Sequence, residues 1–151
     1  MCTSTHPDLA KIYKHTYVGK RKTITKEWLD NLSLASLAYL YQDDGTFSSF
    51  SNITLATYNF TKEENQLLSD FLKDKFGFIT KVHIYKTSYK GMPRRYAYIR
   101  FQAESGRDFL KKIKPYIHKS MEYKLGPEIN CPLCGAKHEY GKKFNKFEEV
   151  I

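Results

Sequence analysis

Asp43 and Asp44 end a run, Leu34-Ala35-Ser36-Leu37-Ala38-Tyr39-Leu40-Tyr41-Gln42, that carries no other charge. Leu34, Leu37, Ala38 and Tyr41 recur at helical spacing, and Ser33 before them has the chemistry of an N-cap. The spacing predicts a helix whose C-terminal end bears both carboxylates, where the macrodipole disfavours negative charge. Acids in that position call for a cation, and a divalent metal with oxygen ligands suits them. Gly45 fits a C-cap with positive φ. Ala35, Ala38 and Gln42 form a neighbouring line along which a second helix could approach closely. Asp-Asp-Gly by itself is a common turn, so metal binding there depends on the elements around it.

After Gly45, the β-like run 46–51 and the alternation over Asn52–Phe60 predict a hairpin. Thr61-Lys62-Glu63-Glu64 has the spacing of a capping box. The helix it opens carries Leu67, Leu68, Phe71, Leu72 and Phe76 on its apolar stripe and ends at Gly77. Ile79–Tyr89 and Arg94–Gln102 predict a second hairpin, turned by Gly91-Met92-Pro93. Ser105 or Gly106 opens a last helix that stops at Pro115, and the short segment Lys119–Leu125 follows. Upstream, Thr25 caps a brief helix through Trp28 and Leu29. The order helix, hairpin, helix, hairpin, helix argues an α+β fold with helices on one face of an antiparallel sheet.

The 151 residues suit one domain with a proper core, and 41% hydrophobic content with 12 Tyr and 10 Phe argues against disorder. Twenty-five Lys and Arg against 16 acids give a net charge of +9, which favours a polyanionic partner. No run of 18 apolar residues exists, so no membrane span is expected. The polar stretch Met1–Lys11 lacks the apolar core of a secretory signal. Three cysteines make no full disulfide framework, and an intracellular location, cytoplasmic or organellar, is the simpler expectation. Residues 1–23 read as a basic arm or short irregular helix, 24–125 as the domain, and 126–151 as a tail.

If helices cover one face of the sheet, the other meets water or a ligand. The strands and turns offer Ser48, Ser51, Asn52, Lys81, His83, Lys86, Arg94, Arg95 and Arg100, with Tyr58, Tyr85, Tyr89, Tyr96 and Tyr98 among them. A two-stranded ribbon of such residues can enter the DNA major groove, where Arg and Asn match base edges.

Leu37-Ala38-Tyr39-Leu40-Tyr41-Gln42-Asp43-Asp44-Gly45 resembles the motif of the LAGLIDADG homing endonucleases, in the subgroup whose motif reads more like LAYWFMDDG. Tyr58-Asn59-Phe60, Thr61–Glu64, Leu72–Gly77, Ile113–Ile117 and Met121–Leu125 are similar to later segments of that subgroup, in the same order. The likeness spans roughly residues 24–125. It implies an αββαββα fold with a saddle-shaped sheet that straddles double-stranded DNA. It also implies hydrolysis of phosphodiester bonds with Mg²⁺, shared or paired at the axis where two motif helices meet. Carried over, Asp44 is the direct metal ligand, Asp43 the lesser one, with its carbonyl as a further donor, and Lys124 is the basic residue beside the scissile phosphate. Many members carry a polar residue on the third strand that orders water. Here Tyr85 stands at that position, and Gln102 and Gln42 are the alternatives. With one motif, the chain is expected to form a homodimer through the 34–44 helix or to pair with a separate chain. A cleavage-inactive DNA-binding regulator and an intron RNA maturase are the rival functions on this fold.

Cys131-Pro132-Leu133-Cys134 with His138 gives three candidate zinc ligands where a structural site needs four. Cys2 or His6 would complete a site if the termini meet, and a pair of free thiols is the other outcome.

Overall fold

The computed structural model describes residues 7–49 and 52–126. Ser51, Cys131, Cys134 and His138 lie outside the described residues, as do Cys2 and His6. The chain opens with helix α1 (Pro7–Thr16) and a small hairpin, β1 (Tyr17–Val18) and β2 (Arg21–Lys22), followed by helix α2 (Lys26–Asp30). Residues 7–22, read above as an arm or short irregular helix, thus form a ten-residue helix and a ribbon. Then come α3 (Leu34–Asp44), β3 (Gly45–Ser49), β4 (Asn52–Leu55), α4 (Lys62–Phe76), β5 (Thr80–Tyr89), β6 (Met92–Phe101) and α5 (Ala103–Ile113). Two 3₁₀ segments, Lys114–Tyr116 and Lys119–Leu125, close the described chain.

The α+β order expected from the sequence is the order found. The strands form one antiparallel four-stranded sheet in the order β3-β4-β6-β5. Ile53, Leu55, Ala97, Ile99 and Phe101 point to the helix side and are buried there. Leu37, Ala38 and Tyr41 of α3, Leu68 and Leu72 of α4, and Phe109, Leu110 and Ile113 of α5 meet them. Phe101 stacks on Phe109 at 4.4 Å between centroids, and Phe78 meets Phe109 edge-on at 5.3 Å. Aromatic pairs at these spacings add to burial, and they fix α5 across the sheet.

Caps explain where the helices begin. Thr25 accepts from Trp28 N–H, Ser33 from Ser36 N–H, and Thr61 from Glu64 N–H. Gly77 adopts φ 75° after α4, and Phe78 N–H reaches back to the Leu72 carbonyl.

Several boundaries differ from the sequence expectation. Strand β4 ends at Leu55 rather than Phe60, because Thr57 and the buried Asn65 fold the chain away. Asn65 donates to the carbonyls of Thr57, Phe60 and Thr61, and the Thr57 hydroxyl donates back to Asn65. The second hairpin turns at Lys90 (φ 50°) and Gly91 (φ 76°), a two-residue turn with both φ values positive. Met92 and Pro93 instead belong to β6, opposite Tyr89 and Ser88. Helix α5 starts at Ala103. Ser105 and Gly106, the two positions expected to open it, lie inside its first turn, and the Ser105 hydroxyl accepts from Ile79 N–H at 2.6 Å. Leu67 of α4 is exposed, and Asn65 and Ser69 take its place on the buried side.

Candidate active site

Helix α3 delivers Asp43 and Asp44 to the surface at its C-terminal end. Both are exposed, whereas Tyr41 and Gln42 just before them are buried. Gly45 does not take positive φ: it is extended at φ −80°, ψ 144°, and leads directly into β3. Its glycine character comes from crowding. A Cβ there would overlap the Tyr41 ring and the Tyr41 carbonyl. The helix therefore runs into the strand without a left-handed residue, and the acids stay against the sheet edge.

An open cleft of about 320 Å³ lies at this junction, lined by Asp43, Asp44, Gly45, Thr46, Phe47, Ala56, Tyr123 and Lys124. Lys124 is 80 residues from Asp44 in sequence, yet its ammonium donates to the Gln42 carbonyl at 2.5 Å and meets the Asp43 carbonyl at 3.4 Å. These are carbonyls that a helix end leaves without intrahelical partners, and a cation there opposes the negative end of the dipole. The Lys124 ammonium is thus bound to backbone oxygens, the Asp43 carbonyl among them. Neither Asp43 nor Asp44 has a side-chain hydrogen bond or ion pair among the described residues.

The two acids present oxygen donors of the kind Mg²⁺ takes. One chain does not enclose an ion: no group of three or more His, Cys, Asp or Glu side chains converges among the described residues. The donor chemistry fits a divalent cation, and the count calls for ligands from elsewhere, such as water, phosphate or a second unit.

The segment that carries Lys124 is held from α3. The Tyr41 hydroxyl donates to the Lys124 carbonyl at 2.8 Å, and the Gln42 side-chain carbonyl accepts from His118 N–H at 2.8 Å. Burial pushes the Tyr41 hydroxyl pKa upward, so it remains a donor at any working pH. Nothing in the spacing of Tyr41 marked it for this role.

Gln102, a candidate for ordering water, lies elsewhere. It is the N-cap residue of α5 and lines a different cleft with Lys81, His83 and Arg100. The register sets Leu55, opposite Gly45, against Ile99. Gln102 follows the end of β6, three residues beyond Ile99 and about 10 Å further along the extended chain. Gln42 is close to the acids but buried and committed to His118 and to the Ala38 carbonyl at 3.3 Å. Tyr85 sits out on the second hairpin, near Tyr58 at 6.5 Å between centroids.

On the open face, Lys81, His83 and Tyr85 of β5 stand opposite Arg100, Tyr98 and Tyr96 of β6, and Thr87 opposite Arg94. Lys86 and Arg95, opposite each other, belong to the other face with Ile84 and Ala97. They are exposed because the hairpin extends past the helices. Ser48 and Asn52 bond to each other at the irregular end of the first hairpin, Asn52 donating at 2.5 Å. Tyr58 lies over the middle of the face, edge-on to Tyr96 and Tyr98 at 6.0 and 5.9 Å. His83 stacks on Tyr98 at 5.5 Å. Arg94 lies 4.8 Å over the Tyr89 ring and donates to the Tyr96 hydroxyl. The basic and polar groups thus flank a tyrosine-rich centre.

Comparison with known proteins gives this geometry a context. The chain is 32% identical over 124 residues to the cytochrome b mRNA maturase bI2 of Debaryomyces hansenii, covering 82% of this chain and 45% of that protein. It is 33% identical over 131 residues to the intron-encoded endonuclease ai4 of Dictyostelium discoideum, covering 82% of this chain and 74% of that one. A solved structure, the homing endonuclease I-WcaI bound to its DNA recognition sequence, superposes with a TM-score of 0.62 at 26% identity. That superposition covers 80% of this chain and 53% of I-WcaI, so the chain spans about half the length of that protein and of the maturase. The family model of the LAGLIDADG DNA endonucleases matches residues 1–109, from α1 and its ribbon through most of α5. With the acid-ended helix, the sheet behind it and a match over most of its length, the chain belongs to the LAGLIDADG DNA endonuclease family.

Proposed function

We propose that this chain is a site-specific endonuclease of double-stranded DNA that uses a divalent metal and acts as a pair of units joined along α3. The observation that carries the proposal is the convergence of Asp43, Asp44 and Lys124 in one cleft at the end of the motif helix. The DNA-bound homing endonuclease with the same fold supports DNA as partner, as does the excess of basic residues. Asp44, with Asp43 beside it, would hold Mg²⁺. When bound, the metal stabilises charge developing on the phosphate and eases ionisation of an attacking water. Lys124 keeps a positive charge beside the acids, where it offsets the phosphate's negative charge. The open sheet face, with Lys81, His83, Arg94 and Arg100, would supply phosphate and base contacts, and the tyrosines apolar contact to bases.

The test is cleavage of a randomised duplex library with Mg²⁺ and, as a comparison, Ca²⁺. Asp44→Asn is expected to lower cutting by about 10³-fold or more while duplex binding stays within a few-fold. Undiminished cutting by Asp44→Asn would overturn the assignment. The likeness to an mRNA maturase favours one second reading, binding of intron RNA on the same fold. Retained affinity for structured RNA with no cleavage of any duplex would select it.

A further inference from the structure

We propose that the Tyr41 hydroxyl and the Gln42 carboxamide are positioning residues for Lys124, fixing the 118–125 segment so that the ammonium stays at the carboxylate end of α3. The catalytic part of this inference rests on the endonuclease reading above.

Lys124 lies in a 3₁₀ segment of seven residues, Lys119–Leu125. Such segments have poor internal hydrogen-bond geometry and seldom run longer than one turn. The segment's own backbone is therefore a weak support for a lysine with a long, flexible stem. Its position comes from α3. Gln42 holds the entrance at His118 N–H, and Tyr41 holds Lys124 itself at the carbonyl, both at 2.8 Å. These two residues immediately precede Asp43 and Asp44, so the lysine and the acids share one rigid reference.

The two supports are themselves fixed. The Tyr41 ring is fully buried beneath Gly45 and edge-on to Phe109 at 5.5 Å, leaving its hydroxyl one direction. The Gln42 amide donates to the Ala38 carbonyl at 3.3 Å, which sets its oxygen toward His118. Packing alone does not require a hydroxyl or an amide at these places, because Phe and Met have the shape to fill them. What the polar atoms add is the bond to the 118–124 stretch and, through it, the placement of the Lys124 ammonium on the Gln42 and Asp43 carbonyls.

The experiment compares wild type, Tyr41→Phe and Gln42→Met in the full chain, with two readouts. The first is lysine acylation followed by mass spectrometry. Lys75 is the internal reference, since its ammonium also caps backbone carbonyls, those of Asp30 and Leu32, away from the cleft. Tyr41→Phe is expected to raise the Lys124 acylation rate by about threefold or more, through local opening of the segment, with Lys75 unchanged. The second is steady-state cleavage of a selected duplex, where kcat should fall by about tenfold with KM within twofold, as expected for a misplaced group. Unchanged Lys124 acylation in both variants overturns the proposal, as does increased acylation with kcat intact. Increased acylation in a protein whose wild type cuts no DNA upholds the positioning and rejects the endonuclease reading instead. If Tyr41→Phe fails to fold, Gln42→Met carries the same two measurements.

Discussion

Gly45 sets the direction of the acids through the absence of one carbon. Its φ of −80° is open to any residue, so conformational freedom is not what the position needs. The space is filled by Tyr41, whose ring and carbonyl lie where a Cβ would go. Gly45→Ala is therefore expected to destabilise by about 1–3 kcal/mol, the usual cost of overpacking, read as a lower urea midpoint at unchanged m-value. It should also disturb cutting, since Tyr41 moves with it. Gly106 in α5 is a useful contrast. A Cβ there would meet the Ile53 Cδ1 at 2.7 Å, the far end of a side chain that can rotate, and Ala favours helices. Gly106→Ala should cost less than Gly45→Ala in the same measurement. A larger effect at 106 would show that backbone crowding at 45 is relieved by a shift of α3. The sequence marks Gly45 as special, but the reason depends on the ring of Tyr41 in three dimensions, which spacing does not reveal.

Among the elements, the N-terminal ribbon is held to α4 through one carboxylate. Glu64 closes the capping box by accepting from Thr61 N–H at 2.7 Å, accepts from both terminal guanidinium nitrogens of Arg21 at 2.9 Å, and accepts from Ile24 N–H at 3.3 Å. Burial opposes its ionisation, but the Arg21 guanidinium and the two N–H donors outweigh that and lower its pKa. A carboxyl with a lowered folded pKa adds stability above its unfolded value and loses it as pH falls through the folded one. Glu64→Ala removes cap and ion pair together and should cost about 1 kcal/mol or more at pH 7. Glu64→Gln keeps a capping side chain and should cost less. The gap between wild type and Glu64→Gln should close as pH falls below the ordinary carboxylate range, as followed by urea unfolding at pH 7, 5 and 3. A gap that persists at pH 3 would mean that charge is not its source. The capping box itself is legible because its partners lie three residues apart. So are the hairpins and the apolar face of α5, whose patterns are local. The Arg21 contact, the early end of β4 and the Lys124 latch are not legible, since their hydrogen bonds join residues 43, 8 and 83 positions apart. The separation of Gln102 from Asp44 is not legible for a related reason: it depends on strand order and register.

At the scale of the molecule, the question is what covers α3. The line Ala35, Ala38 and Gln42 suggested for a partner helix is not available as a whole, because Ala38 and Gln42 face this chain's own core. Tyr39, 68% exposed, and Asp43 and Asp44 are the exposed residues of α3, and Ala35 and Ser36 are half-buried. One exposed aromatic at the centre of a helix that ends in carboxylates with no side-chain partner among the described residues is the arrangement expected where a second unit packs, since Tyr is enriched at such contacts. The chain also corresponds to about half of the DNA-bound homing endonuclease, which leaves room in that architecture for a second unit. Pairing two copies along this face would bring both Asp43-Asp44 ends together and raise the number of oxygen donors beyond what one chain offers. Tyr39→Glu places a charge in that contact and should weaken association by about 2 kcal/mol or more. Sedimentation equilibrium of wild type and variant, free and on duplex, is the direct measurement. A wild type that assembles in pairs while Tyr39→Glu stays single and cuts poorly is the expected result. A wild type that remains single even on a cleaved duplex would mean that the cation needs no second helix, and the shared site would have to be abandoned in favour of ligands from water and phosphate alone.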